Sequence, residues 1–576
     1  MQMAFAPNKK DIEICFLKKN TFVSLSASGS KHSFIYTFLL SIFLNKKVII
    51  NNVPEISDVI FLLDYAVLAG AKIEYNKMEK MITINEGIKK NMISTPFVVN
   101  CRSALLAVTL HLLRFGYVKV PNLLGGCKIG NRQIDQHVEL WKKMGGSVKI
   151  DDFIEISFLA DTTFIEEFSF DFDTTMGTVA GIFCMYEGKI GMINNISVRP
   201  EVQYLIEFIN TIKEKYICKI NDNSITVKDG KKVDNLSIIE YRIPSDIDEV
   251  LGYACLMDAL GVNGEIIADI PYIKSMQFIE TLSNGRIKWL KNAVWIKSDG
   301  NCSVVRKDEC AIEASFYPNI SSDLQPILVV WASKYCNKVT VIDRKFIGRV
   351  EYLNQLSKLG WYFIENNGIY SVEYCDEYIA SVGMVEIVAT DLRCAFAELI
   401  AIAITKSSCV ICHAEQLHRG YSNIIFNLTK LGAVIKEKKQ NIHESVAVIL
   451  VDSLNRLILQ QRDLKDIKNS GKVSFWGGAM FQGETPISAA KREILEEIGL
   501  ELDLIYLNQI YINEDAYSMT GYVYLFFCKV LNELDVVCNE GRVIKCNVDD
   551  VLNFELSLFC RAVMERRGDF NELEKL

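Results

Sequence analysis

Four carboxylates close to the C-terminal end of the chain are spaced to share one small volume. Glu493, Glu496 and Glu497 stand at i, i+3 and i+4, so on a helix their side chains project together. Gly478 provides a turn ahead of that helix, and Glu484, nine residues before Glu493, can fold back from the loop onto the same spot. Carboxylates crowded in this way repel one another unless a hard divalent cation neutralises them, and Mg²⁺ favours oxygen ligands of this kind. A metal held there would activate water and neutralise a diphosphate. On the carboxylates alone, a solvated helix face partnered by Lys491 and Arg492 is the simpler account.

A second set of reactive groups is scattered upstream. Cys127 follows Gly125 and Gly126 in a loop between a strand and a helix, with Lys128 and Arg132 close by. Neighbouring cations lower a thiol's pKa and favour proton exchange near neutral pH; a lone cysteine without that setting is an inert buried thiol. Asp323, in Ser321-Ser-Asp-Leu-Gln325, precedes an apolar helical stretch, where a carboxylate can also serve the helix start. Cys409-Val-Ile-Cys-His413 fits a haem-attachment pattern, but on a buried strand its two cysteines face opposite sides, and it reads as structural.

The elements that must position these groups repeat. Short β-branched strands recur at 47–51, 117–120, 189–194, 264–269, 338–343 and 409–412, each preceded by an apolar helix. A second helix follows each, at 56–69, 133–144, 202–213, 274–282, 349–359 and 421–431. Five of these six helices run into a glycine and then a strand, as in AGAKIEY and LGWYFIE, which suits a left-handed cap. The period, roughly 70 residues, exceeds that of solenoid repeats and describes six small α/β modules in two groups of three. Residues 437–444 form a short charged link to a strand beginning at Ser445.

A chain of 576 residues, half of them apolar, holds two or more domains. Its longest apolar run, residues 34–44, is too short to span a membrane, and the first residues lack the apolar core of a secretory signal. Seventeen cysteines without regular pairing indicate reduced thiols and a cytoplasmic setting. A net charge of −8 argues against nucleic-acid binding, so an anionic substrate needs a local cluster of cations.

Gly478, five residues, Glu484, seven residues and then Arg492-Glu-Ile-Leu-Glu-Glu-Ile-Gly-Leu500 resemble the Nudix hydrolase box at every fixed position. The resemblance implies that residues 444–576 form an α/β/α sandwich hydrolysing a nucleoside diphosphate derivative, with Glu484, Glu493, Glu496 and Glu497 as Mg²⁺ ligands and Glu497 catalytic.

Residues 10–436 resemble the enolpyruvyl transferases, the UDP-N-acetylglucosamine 1-carboxyvinyltransferases in particular. The resemblance rests on Ser28-Gly-Ser-Lys-His32, Asn51-Asn-Val-Pro-Glu-Ile-Ser-Asp-Val59, Gly125-Gly-Cys-Lys-Ile-Gly-Asn-Arg132, Ala389-Thr-Asp-Leu-Arg393 and His418-Arg-Gly-Tyr421. It implies a two-lobed inside-out α/β barrel of six βαβ-type repeats. One lobe would comprise residues 1–30 and 241–438, the other residues 31–240, with the substrate cleft between them. It further implies that Lys31, Arg132 and Arg419 grip phosphoenolpyruvate, with Arg102 and Arg393 nearby. Cys127 would act as the acid, Asp323 would take the acceptor hydroxyl's proton, and Arg349 would support Asp323. Asp135 would lie in the uracil segment, with Thr175 and Gly177 in a nucleotide loop, and no cofactor is implied. His32 stands where the family has asparagine, Gln133 where it has proline, and Asp246-Ile-Asp-Glu249 where it has Arg-Ile-Glu.

Three readings follow. The first is a bifunctional enzyme whose acceptor is UDP-N-acetylglucosamine, as in peptidoglycan synthesis. The second has another uridine nucleotide such as UMP as acceptor, in a specialised pathway. The third is a nucleotide-sensing protein without transferase turnover. Oligomeric state is left open by the sequence.

Overall fold

The structure, a computed structural model, describes residues 11–17, 22–44, 46–122, 134–151, 153–158, 163–212, 215–221, 223–229, 238–297, 306–346, 349–375, 384–438, 442–462, 471–481, 484–514, 519–530, 538 and 541–565. The chain divides into two compact units at residues 438 and 439.

In the larger unit six sheets carry the repeat. Five of them share one plan: a parallel pair extended by two antiparallel strands. In one, Ile238–Arg242 lies parallel to Lys47–Asn51, followed antiparallel by Met81–Glu86 and Lys72–Asn76. The plan recurs around Ile190–Ile196, Gly264–Ile267, Cys336–Asp343 and Cys409–Cys412. The sheet built on Tyr117–Pro121 has the two antiparallel pairings alone among the described residues. Three sheets use residues 47–242, and three use residues 11–26 and 264–438. No described sheet closes on itself.

The six strands expected from sequence are all present, and the five expected glycines, Gly70, Gly145, Gly285, Gly360 and Gly432, have φ between 72° and 98°. That left-handed conformation carries no steric penalty without a Cβ, and it turns each helix end into the next strand. The last second helix, expected over 421–431, is shorter at Ile424–Lys430 and begins only after Asn423, whose backbone is left-handed.

Within each repeat the helix ahead of the central strand is apolar on every side and therefore interior. Leu392–Thr405, Ile247–Leu260 and Gln325–Ala332 are buried nearly throughout and share one core. Lys31–Ser41, Ala104–Phe115 and Thr175–Tyr186 are the corresponding buried helices of the other three sheets. Helices lie inside and sheets outside. Among the described residues no helix is long and apolar enough to cross a membrane.

Glu398 lies in the middle of one interior helix, fully buried, with neither carboxyl oxygen hydrogen-bonded. Burial, reinforced by Asp391, pushes its pKa up to about 8. The folded chain thus keeps a proton that the unfolded chain releases near the ordinary value of 4.5, so stability falls as pH rises through that interval. The slope approaches about 1.4 kcal/mol per pH unit at full protonation difference. Glu398→Gln, neutral at every pH, should raise the melting temperature near pH 8 and lose that advantage towards about pH 4.5. Thermal melts across this range check it.

The smaller unit is one six-stranded sheet between two helical layers. Ile442–Val451 alternates. Val446, Val448 and Leu450 face the core of helix Pro486–Ile498, while Ala447, Ile449 and Val451 face the core holding Cys560 and Val563 of helix Leu558–Glu565. This is the expected α/β/α sandwich. The charged link expected over 437–444 is mostly strand, since Ala433–Lys438 and Ile442–Val451 leave only residues 439–441 between them, outside the described residues.

Candidate active site

The repeats bring helix starts to one place. Lys31 opens an interior helix capped by Ser30; Arg102 lies just ahead of the Ser103 cap of a second, and Thr174 caps a third; Asp323 and Asp391 precede the remaining pair on this wall, and Arg393 lies in the first turn after Asp391. Asp58, Gln136, Glu201 and Arg349 stand at the starts of outer helices. All but Asp391 line a single cavity of about 410 Å³ with walls from both groups of sheets. Helix N-termini present free N–H groups and partial positive charge, so their convergence favours anions.

The described wall carries seven cations, Lys31, Arg102, Arg199, Lys345, Arg349, Arg393 and Arg419, against four carboxylates, Asp58, Asp173, Glu201 and Asp323. The excess is positive. Lys31 and Arg419 share Asp58, at 2.6 and 3.2 Å, and Lys31 Nζ also donates to the Arg419 carbonyl at 3.0 Å. Burial pushes the Asp58 carboxyl up, but the two cations outweigh it and hold its pKa below the ordinary value.

Asp323 is held between two arginines, Arg349 at 2.8 Å on Oδ1 and Arg199 at 3.2 Å on Oδ2. Burial raises its pKa, and Arg349, Arg199 and Arg393 together drive it well below the usual carboxylate range. It is therefore an ionised acceptor at neutral pH, with 24 % of its side chain open to the cleft. Arg199 also holds Glu201 through two hydrogen bonds, at 3.2 and 3.1 Å. Arg393 pairs with Asp248 and donates to the Tyr421 hydroxyl at 3.2 Å. His32 lines the same wall, where burial and then Arg199 push its pKa down to about 4, leaving the ring neutral.

Of the residues expected from sequence, Lys31, Arg102, Thr175, Asp323, Arg349, Arg393 and Arg419 line the cavity. Asp135 opens the helix Asp135–Lys143, but Gln136 and His137 form the wall there. Gly177 lies behind the wall, because a Cβ would meet Thr174 Cγ2 at 2.5 Å and Phe170 at 2.9 Å; its glycine serves packing. Cys127 and Arg132 lie outside the described residues. Asp58, Arg199, Glu201 and Lys345 were not among the expected site residues. Aligning the repeats exposes the first three, which share the start of a second helix with Arg349.

In the smaller unit, Thr485 caps helix Pro486–Ile498 through a reciprocal bond with Ser488, and Gly499 ends it at φ 71°. The four glutamates do not surround a common point. Arg492 gathers three of them, with Nε to Glu484 at 2.6 Å and Nη1 to Glu493 and Glu496 at 2.8 and 3.1 Å. Buried Glu497 turns instead to the Gly477 N–H at 2.9 Å and to Arg462 at 3.5 Å. Among the described residues, no three His, Cys, Asp or Glu are grouped to hold a metal ion. An arginine within reach of three acids satisfies them in pairs, which helical spacing alone does not reveal. The donor set still suits a hard cation. It is all oxygen, and burial, with Glu496 and Glu484 contributing repulsion, raises the Glu493 pKa.

Gly478 runs against this cluster: a Cβ there would come within 2.7 Å of Glu493 Oε1. The obstacle is the end of a flexible side chain, so Gly478→Ala should fold normally yet displace Glu493. Any activity that depends on this cluster should drop by about a hundredfold, as for a functional group misplaced by about 1 Å; an assay beside a thermal melt checks both parts.

A cleft walled by cationic helix starts from two sets of α/β repeats is suited to binding small anions. Residues 22–428 match the EPSP synthase (3-phosphoshikimate 1-carboxyvinyltransferase) family model, and the chain belongs to that family. Residues 441–563 match the NUDIX domain, so the chain is an enolpyruvyl transferase fused to a second enzyme domain. It is 25 % identical over 422 residues to the UDP-N-acetylglucosamine 1-carboxyvinyltransferase of Pseudothermotoga lettingae, covering 72 % of this chain and 96 % of that one. The protein of the same name from Wolbachia pipientis subsp. Culex pipiens is 27 % identical over 426 residues, covering 71 % and 95 %. Among solved structures, the enolpyruvyl transferase NikO from Streptomyces tendae superposes with a TM-score of 0.60 at 16 % identity, covering 75 % of this chain and 99 % of that one. EPSP synthase from Acinetobacter baumannii gives 0.54 at 13 % identity, covering 75 % and 100 %.

Proposed function

We propose that residues 1–438 transfer the enolpyruvyl group of phosphoenolpyruvate to a hydroxyl of a uridine nucleotide, UDP-N-acetylglucosamine first, and that residues 444–576 hydrolyse a nucleoside diphosphate derivative with Mg²⁺. In the transferase part, residues 1–30 with 241–438 and residues 31–240 act as the two lobes. Lys31, Arg132 and Arg419 hold the donor's phosphate and carboxylate, with Arg102 and Arg393 nearby. Asp323 takes the acceptor hydroxyl's proton as its oxygen bonds to the donor's second carbon, and Arg349 orients it. Cys127 delivers the proton that makes the donor's methylene a methyl. Loss of a methyl proton then restores the double bond as the carbon–oxygen bond to phosphate breaks. Asp135, Thr175 and Gly177 belong to the segments flanking the nucleotide.

The observation carrying this reading is the ionised Asp323 in a cavity with a net excess of cations drawn from both groups of sheets. The names of the relatives support the acceptor. In the smaller unit, Glu484, Glu493, Glu496 and Glu497 would hold the cation once Arg492 moves aside. When bound, the metal neutralises the diphosphate and activates water. Glu497, fixed by the Gly477 N–H, would receive a proton from that water.

Phosphate release from phosphoenolpyruvate with UDP-N-acetylglucosamine, UMP or uridine tests the acceptor. Turnover with UDP-N-acetylglucosamine is expected. Turnover with UMP alone would move the acceptor to a simpler nucleotide, and none with any would leave a nucleotide-sensing protein.

A further inference from the structure

Most of the cavity's described cations are matched internally. Asp58 serves Lys31 and Arg419, Asp323 serves Arg349 and Arg199, and Asp248 serves Arg393. Lys345 differs. It lines the cavity just beyond strand Cys336–Asp343, and among the described residues it makes no ion pair and no side-chain hydrogen bond. Its ammonium lies 5.0 Å from the Phe316 ring centroid and 5.8 Å from that of Phe346. Burial, and then Arg199, pulls its pKa below the ordinary lysine value, so its surroundings leave the charge under-compensated.

Asp173, at the end of strand Ile165–Thr174, lines the same cavity; Ser197 hydrogen-bonds its carboxylate, and its charge is felt at Lys345 without an ion pair. Phe172 lines the same region and is exposed. An unpaired cation beside aromatic side chains on the cavity wall matches a ligand with a phosphate and a flat apolar body. A three-carbon donor has no use for the aromatic faces.

Resting on the transferase reading above, we propose that Lys345 is a specificity-determining residue that binds a phosphate of the nucleotide acceptor. Phosphorylated nucleosides are thereby selected over free nucleosides, and the donor's phosphate is left to Lys31 and Arg419.

The test titrates the full chain and its Lys345→Met variant with UDP and with uridine by calorimetry in EDTA, and compares their KM for phosphoenolpyruvate. The variant should bind UDP about ten- to a hundredfold more weakly, the range of a lost charge-assisted hydrogen bond. Uridine affinity and the donor's KM should stay within about twofold, and Lys345→Arg should recover most of the UDP affinity. Unchanged UDP affinity, an equal loss for uridine, or a defect confined to phosphoenolpyruvate would each overturn the assignment. If the unsubstituted chain transfers to no acceptor, the transferase reading falls alone, because the UDP titrations still decide the role of Lys345.

Discussion

Asp323→Asn should lower kcat for enolpyruvyl transfer by about two to four orders of magnitude, the usual contribution of a positioned general base. Asparagine keeps the shape and its carbonyl oxygen can still accept from Arg349, but its NH2 group faces Arg199 where an oxygen accepted, and it cannot take a proton. The carboxylate it replaces is ionised well below the ordinary range because Arg349, Arg199 and Arg393 outweigh its burial. Transfer by the parent chain should therefore keep Asp323 in its working form as pH falls to about 4, the ordinary aspartate value. Loss of the charge also leaves two buried guanidinium groups less well matched. Arg199 retains Glu201 and Arg349 retains Asp391 at 3.7 Å, so the destabilisation should stay below the about 3–5 kcal/mol of a fully broken buried pair. Steady-state assays with a thermal melt separate the two effects, and a variant with near-normal kcat would remove Asp323 from the chemistry.

The second large effect lies in the other unit. Glu497→Gln should lower nucleotide hydrolysis by about two to four orders of magnitude while leaving enolpyruvyl transfer intact. Glutamine can still accept from the Gly477 N–H, and the burial of Glu497 favours a neutral replacement for folding. The loss then reflects charge and basicity, not structure. Both activities are measured on the same preparation, and a parallel fall in the two would contradict independent sites.

Much of this arrangement was legible in the sequence. The six strands and five glycine ends repeat at fixed spacing, and local chemistry dictates them: β-branched runs favour strands and a left-handed turn favours glycine. Lys31, Asp323 and Arg419 were recognisable from the motifs that hold them. What was not legible depends on contacts across long stretches of chain. Arg199 meets Asp323 over a separation of 124 residues, and Asp58 meets Arg419 over 361. Neither pairing has a local signature, although repeat alignment places Asp58 and Arg199 at equivalent helix starts. Lys345 lies beyond a strand end and carries no motif. In the smaller unit the spacing of the glutamates brought Glu493 and Glu496 together with Glu484, but Glu497 turns away to the Gly477 N–H and Arg462. The spacing did not reveal that Arg492 holds three of them, or that the chain at Gly477 and Gly478 runs close enough to orient Glu497 and crowd Glu493.

The central claim is that helix starts from both sets of sheets form one cationic cleft in which an enolpyruvyl group changes partners. Its most direct test mixes the full chain with phosphoenolpyruvate and UDP-N-acetylglucosamine, then follows phosphate and the nucleotide product together by ³¹P and ¹H NMR. The predicted result is one phosphate released for each vinyl ether formed on the sugar nucleotide. Phosphate without vinyl ether, or neither product at any enzyme concentration, would contradict it.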